Sequence, residues 1–292
     1  MRGLLCCLVT VFVAAVCLPA SASADKIDVV TSSTILADFV RNVGGDRVAV
    51  TSLVGPNGDV HGYAPSPADG QKLAAAKLII LNGLGLEGST ERFMSTAAKG
   101  AKAVVASAGI TPLRLGGELD PHAWQNVANA KIYVANIRDA LIAVDPADKV
   151  LFEANAAAYL RRLDQLDADV RAAIATIPAE RRRLITTHDA FGYFGTAYGV
   201  EFIAPHGVST EAEASARDVA RIITQIRAQK IPAVFLENVS DPRLLQRIAS
   251  ESGARVGGTL YSDALTGPDG PAPTYIDMMH HNVKQLVSAL AP

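Results

Sequence analysis

The sequence predicts an α/β protein with two lobes, each a mostly parallel sheet flanked by helices, joined by one long rigid helix. Three observations carry this. Short β-branched runs alternate with helical stretches in the first half, as strand–helix–strand units require. The same rhythm returns in the second half. Between them, Asp145–Ile177 repeats its apolar positions every three or four residues. With 292 residues, 49% hydrophobic and 19% charged, the chain is long enough for one large or two ordinary domains and too apolar to be disordered. Its 27 basic and 29 acidic residues give a net charge of −2, without the basic surplus of a nucleic-acid binder.

Residues 1–24 read as a cleaved signal peptide. Arg2 is a short basic region, Leu4–Leu18 an apolar run of 15 residues, and Ala22-Ser23-Ala24 a small-residue cleavage site before Asp25. That run is shorter than the ~20 residues a membrane-spanning helix needs. Lipid attachment at Cys17 is disfavoured, because Val16 is bulkier than the small residue expected before a lipidated cysteine. Cleavage leaves 268 residues, 26 of them basic and 29 acidic, and removes Cys6, Cys7 and Cys17, the only cysteines. A periplasmic location is expected. There the protein has neither disulfide nor thiolate, so a metal site must be built from His, Asp and Glu.

The N-terminal lobe is placed at 25–144. Its strands are expected at Ile27–Thr31, Val48–Leu53, Leu78–Leu81 and Ala103–Ala106, with helices at Ile35–Val43, Pro67–Ala76 and Glu91–Lys99. The linking helix is placed at 145–178. Asp145 should cap it, Pro146 fits its first turn, and Pro178 stops it. The 33 residues Asp145–Ile177 would reach roughly 50 Å at ~1.5 Å per residue, a strut rather than a floppy linker. The C-terminal lobe, 179–292, should hold strands at Leu184–Thr187, Glu201–Ile203, Ala233–Leu236 and Arg255–Val256. Its helices are expected from Ala190 and at Glu213–Gln229, Arg243–Ser252 and Tyr275–Leu290. Thr266–Pro273 should be mobile on its Gly and Pro content.

The six histidines are scattered. His61, His122, His188 and Asp263 lie 61, 66 and 75 residues apart, so no local metal motif exists and only the fold could assemble them. His61, His188 and Asp263 follow strands, where open α/β sheets bind ligands. His280 and His281 are adjacent on the last helix, point about 100° apart and read as surface residues. His206, in a Pro-His-Gly turn, is a candidate accessory ligand. Glu237 ends a strand and reads as a structural hydrogen-bond partner. Asp120 and Asp189 neighbour histidines and read as groups that orient them or cap helices.

Several segments, in order, resemble the ZnuA/TroA-like (cluster A-I) substrate-binding proteins of metal ABC transporters. They are Ser33-Thr34-Ile35-Leu36-Ala37-Asp38-Phe39, His61 before Tyr63 and Pro65, Asp120-Pro121-His122-Ala123-Trp124, His188-Asp189-Ala190-Phe191-Gly192-Tyr193-Phe194, Tyr198-Gly199-Val200 and Tyr261-Ser262-Asp263. The overall plan is similar to the AztC-type zinc-binding members. The resemblance covers the whole mature chain. It implies a metal held in the cleft, with His61 and His122 from the first lobe and His188 and Asp263 from the second. It also implies a monomer that delivers its ion to an inner-membrane ABC permease. Val60 stands where the family usually has Pro, and Ala64 where it often has Glu. The long His- and acid-rich loop of many zinc members is absent, since Gly83–Leu119 contains no His, which favours supply by a periplasmic zinc chaperone.

Three imidazoles and one carboxylate suit tetrahedral Zn²⁺, whereas Mn²⁺ prefers more oxygen and higher coordination. Family members that handle Mn²⁺ or Fe²⁺ tend to have Glu where this chain has His188. Zinc is therefore the expected cargo, with Mn²⁺ or Fe²⁺ the alternative. Four protein ligands leave no open position for a hydrolytic water, so an exported zinc metalloenzyme ranks well below a carrier. A binder of organic anions would show Arg in the His segments, and there is none.

Overall fold

The computed structural model describes residues 25–97, 100–211 and 214–291. The signal-peptide reading, with its three cysteines, lies outside them. So do the expected helix ends at Lys99 and Glu213.

In the N-terminal lobe, strands β1 (Ile27–Thr31), β2 (Val48–Ser52), β3 (Leu78–Leu81) and β4 (Lys102–Val105) alternate with helices α1 (Thr34–Gly44), α2 (Pro67–Ala75) and α3 (Ser89–Ala97). All pairings are parallel, in the order β2-β1-β3-β4. β3, Leu-Ile-Ile-Leu, is buried throughout, as expected of a strand covered on both faces. A short hairpin follows, β5 (Arg114–Leu115) and β6 (Glu118–Leu119), turned by Gly116 and Gly117. Both glycines have positive φ, at 59° and 96°. That is the backbone a tight two-residue hairpin turn demands.

Helix α4 (Val127–Val144) then runs into α5 (Lys149–Ala175) through a turn at Pro146–Asp148. Here the structure corrects the sequence reading. Asp145 does not cap α5: its N–H bonds Leu141 O and closes α4, and its carboxylate pairs with Arg47 at 3.4 Å. The linking helix therefore has 27 residues, roughly 40 Å at ~1.5 Å per residue. α4 was not expected at all, although Val127, Ala130, Tyr133, Val134, Ile137, Ala140 and Leu141 mark its buried face at helical spacing.

The C-terminal lobe has β7 (Arg183–Ile185), α6 (Gly192–Tyr198), β8 (Glu201–Ile203), α7 (Ala216–Gln229), β9 (Ala233–Glu237), α8 (Arg243–Ser252), β10 (Arg255–Leu260) and α9 (Tyr275–Leu290). Its sheet order, β10-β9-β7-β8, repeats the connectivity of the first lobe. β10 is four residues longer than expected because its pairing with β9 shifts register between Val256 and Thr259, at Gly257 and Gly258. A Cβ on Gly257 would lie 2.6 Å from the Phe235 ring, so the strand passes too close to β9 for any other residue.

One apolar core runs through both lobes. α1, α4, α5 and α9 pack together, and α5 touches each of the other three. Phe39 sits at the centre, fully buried, with ring centroids 5.9 Å from Tyr133, 6.3 Å from Tyr159 and 4.9 Å from Tyr275. Smaller cores cover the outer sheet faces, under α2 and α3 in one lobe and α7 and α8 in the other. Among the described residues, no helix is long and apolar enough to cross a membrane. Because Phe39 joins helices of both lobes, Phe39→Ala should cost about 3–5 kcal/mol. A lowered urea midpoint with unchanged slope is the expected readout, and an unshifted midpoint would contradict the shared core.

Candidate metal centre

Each candidate ligand is delivered by a loop whose backbone is tied down by a polar side chain. His61 lies in the loop after β2. Its N–H donates to Asp59 Oδ1 at 2.9 Å, and the other Asp59 oxygen accepts from Thr210 Oγ1 across the cleft at 2.5 Å. Downstream, Ser66 and Asp69 form a capping box on α2, and Asp69 also accepts from Tyr63 Oη at 2.7 Å. Val60, where the family has Pro, is 3% exposed and packs in the main core.

His122 is fully buried. Its N–H and its Nδ1 both meet Asp120 Oδ1, at 2.9 and 2.8 Å. A carboxylate at Nδ1 holds the proton there and leaves the Nε2 lone pair for the cleft. His188 follows β7. The N–H groups of Thr187 and His188 donate to Glu237 Oε1 at 2.6 and 3.0 Å, and His188 Nδ1 lies 2.6 Å from Glu237 Oε2. β7 and β9 are the two strands between which the sheet order reverses, the usual ligand position of such sheets. Asp263 follows β10. Both its oxygens are buried and neither accepts a hydrogen bond.

The four side chains converge. Their donor atoms all lie within 4.8 Å of one another. His61 Nε2 is 3.2 Å from His122 Nε2 and 3.6 Å from Asp263 Oδ2. His122 Nε2 is 3.5 Å from Asp263 Oδ1, and His188 Nε2 is 3.2 Å from Asp263 Oδ2. A tetrahedron with ~2.0 Å bonds has an edge of about 3.3 Å, so the contacts of 3.2 to 3.6 Å lie close to such an edge, within a donor set that spans at most 4.8 Å. Buried lone pairs facing each other without donors between them are what a cation would satisfy.

Electrostatics agrees. Burial alone would push Asp263 up, but the His188 and His122 imidazoles beside it hold its carboxyl well below the usual range. Burial pushes His122 down, more than Asp263 and Asp120 lift it. Burial also acts downward on His188, but Glu237 and Asp263 outweigh it and raise it well above an ordinary histidine.

Of the residues expected to orient the ligands, Asp120 Oδ1 lies 2.8 Å from His122 Nδ1 and Glu237 Oε2 lies 2.6 Å from His188 Nδ1. Asp189 does not reach the four: its N–H bonds Gly207 O, and it lines a cavity of about 510 Å³ with Arg182 and Phe191. Burial raises its carboxyl to about 6. His206 lines a separate cavity of about 590 Å³ beside His188 and is not one of the four. His280 is exposed as expected, whereas His281 is half-buried, with Nε2 at 3.1 Å from Thr259 O.

Sequence reading missed the corresponding support in the first lobe. Buried Glu87 accepts from Ser32 Oγ and from the N–H groups of Asn82 and Gly83. Asn82 in turn donates to Pro121 O at 3.0 Å and accepts from Tyr133 Oη at 2.6 Å, fixing the His122 turn. A signal was present: two polar residues directly follow or nearly follow the wholly apolar β3.

A family model described as the periplasmic zinc-uptake complex component A, ZnuA, matches residues 29–289. The chain is 38% identical over 268 residues to the iron-binding protein YfeA of Yersinia pestis, covering 90% of this chain and 86% of that one. It is 37% identical over 273 residues to the zinc-binding protein TroA of Treponema pallidum (strain Nichols), covering 90% and 88%. It is 33% identical over 279 residues to the manganese ABC transporter substrate-binding lipoprotein PsaA of Streptococcus pneumoniae, covering 92% and 90%. The solved structure of the periplasmic zinc binding protein TroA superposes with a TM-score of 0.89 at 36% identity, over 91% of this chain and 100% of that one. These relatives are named for three different metals. Sequence and structure together place this chain in the ZnuA family of metal-binding ABC-transporter components.

Proposed function

We propose that the protein captures Zn²⁺ between its lobes, through His61, His122, His188 and Asp263, and delivers it to an inner-membrane ABC permease. The observation that supports this reading best is the buried His₃Asp cluster with zinc-like spacing. Zinc is favoured over Mn²⁺ and Fe²⁺ by three nitrogens and one oxygen, a donor set poor in the oxygens that the harder ions prefer. The iron and manganese names among its relatives support the alternative cargo. Four protein donors fit transport rather than hydrolysis, since no position is left for a reactive water.

Residues 25–144 and 179–292 act as the two lobes and 145–178 as the strut between them. The protein works as a monomer outside the cytoplasm. The histidine-free stretch from Gly83 to Leu119 favours supply by a zinc chaperone, as the AztC-type likeness suggests. Secretion with cleavage before Asp25 competes with lipid anchoring at Cys17, which the lipoprotein name of PsaA favours.

Titration of the metal-free protein should give one Zn²⁺ per chain, held more tightly than Mn²⁺ in competition. His122→Ala should weaken zinc by more than about a hundredfold, beyond the loss typical of an orienting partner. Wild-type-like zinc binding by this variant would refute the ligand set.

Because Glu237 and Asp263 raise His188 while burial lowers His122, His188 is the imidazole expected to hold a proton in the metal-free protein. Zinc must therefore displace that proton. Affinity should fall about tenfold per pH unit as pH drops below the raised His188 value, the slope for one proton. Calorimetry in buffers of different ionisation enthalpy should detect about one proton released per zinc at pH 7. Mass spectrometry of the protein from its native cells should find an N-terminus at Asp25. A diacylglyceryl-modified Cys17 would instead establish the lipoprotein.

A further inference from the structure

Asp263 is encoded in the C-terminal lobe, but the hydrogen bonds flanking it lead mostly to the N-terminal lobe. On one side, Ser262 O accepts from Trp124 Nε1 at 3.0 Å and Gln125 Nε2 at 2.9 Å. On the other, the N–H of Leu265 donates to Thr34 Oγ1 at 2.8 Å, and Leu265 O accepts from the N–H of Asn57 at 2.9 Å. Further on, the N–H of Tyr275 donates to Asp38 Oδ2 at 3.0 Å, and Tyr275 Oη donates to Trp124 O at 2.6 Å.

Contacts to the C-terminal lobe frame this set without replacing it. Asn282 of α9 holds Tyr261 through a pair of 2.8 Å bonds. Asn238, at the end of β9, donates to Ala264 O at 3.1 Å while also reaching Asn57 Oδ1 at 3.2 Å. The Gly- and Pro-rich stretch that composition marks as mobile is closed on itself: the N–H of Thr266 bonds Ala272 O at 2.9 Å, and the N–H of Ala272 bonds Thr266 Oγ1 at 3.2 Å. By contrast, the residues adjoining His188 bond within their own lobe, Thr187 and His188 through their N–H groups to Glu237, and the bonds from this segment to the N-terminal lobe come five residues later, where Tyr193 Oη donates to Asp120 O at 3.1 Å and accepts from the Leu113 N–H at 2.9 Å.

We infer that the four ligands divide three to one, with Asp263 fixed to His61 and His122 by the positioning residues Thr34, Gln125 and Asp38, and His188 the ligand that a parting of the lobes withdraws. This rests on the four-residue cluster being the cargo site. Separation then leaves His61, His122 and Asp263 as a three-donor half-site that can receive or surrender the ion, and His188 closes it. Thr34 and Asp38 lie on the helix segment Ser33–Phe39, whose part in the family resemblance thereby acquires a physical role: α1 grips both ends of the loop that carries the carboxylate.

Thr34→Val keeps the side-chain shape and removes the acceptor for the Leu265 N–H, and Thr34→Ser restores it. Two readouts on the full mature chain separate the inference from the function it rests on. Hydrogen exchange on metal-free wild type should show the Leu265 and Tyr275 amides protected to the same degree as in zinc-loaded protein. Thr34→Val should lose the Leu265 protection alone, and Thr34→Ser should regain it. Zinc dissociation into a chromogenic chelator should be about ten- to a hundredfold faster in Thr34→Val, the range for lost ligand-orienting partners, and near wild type in Thr34→Ser. Leu265 protection that exists only with zinc bound, or a wild-type dissociation rate in Thr34→Val, would overturn the inference. A wild type that takes up no zinc would instead sink the transport reading, while the metal-free exchange result still decides where the Asp263 loop is anchored.

Discussion

Everything in the cleft follows from one electrostatic constraint: the Asp263 carboxylate is buried, and imidazole nitrogens are the polar groups that face its oxygens. A buried unpaired charge is among the most expensive things a fold can carry. It is tolerable only beside a positive partner. In the metal-free protein the partner the geometry offers is His188, raised by Glu237 and Asp263 and with Nε2 3.2 Å from Asp263 Oδ2, and a bound cation would take its place. Proton and metal thus compete for the same lone pairs. That competition gives the site its pH dependence and makes charge neutralisation part of the drive for uptake.

The constraint propagates outward. An imidazole is oriented for binding through one nitrogen when a partner holds the other, and Asp120 and Glu237 hold it for His122 and His188. These carboxylates are themselves buried and anchored by backbone N–H groups. Each lobe uses a buried glutamate in this way, but at strands that do not correspond in the two sheets. Glu237 takes the N–H groups after β7, and Glu87 takes those around the end of β3. In the first lobe the acid no longer touches a histidine, but fixes Asn82 and, through it, the turn before His122.

Rigidity comes from elsewhere. The strut α5 is packed along its length by α1, α4 and α9, so it belongs to a shared core rather than to a hinge between two separate ones. A core near crystalline density does not bend continuously. A wide swing of the lobes is therefore not expected, and the parting that frees His188 is a small displacement at the cleft, where a tie such as Thr210 to Asp59 is a single hydrogen bond.

Much of this was legible in the chain. Strand–helix alternation locates most elements because burial on both sheet faces forces short apolar runs, and Leu78–Leu81, Arg243–Ser252 and Tyr275–Leu290 fall where that pattern puts them. His61, His188 and Asp263 stood out by residue type and by position after strands, and the family resemblance joined His122 to them. Helix α4 escaped because its small apolar residues, Ala130 and Ala140, blur the periodicity, and Asp145 seemed free to cap α5 while in fact it closes α4. The sequence by itself determined the chemistry: with no cysteine after Cys17, only imidazole and carboxylate were left to bind a metal. Only the tertiary structure could decide that residues 61 to 75 positions apart meet within 4.8 Å, and that Asp263 hangs from the lobe it is not encoded in. Donor type is a property of a residue, whereas distance and anchorage depend on which loops two parallel sheets bring to a common edge.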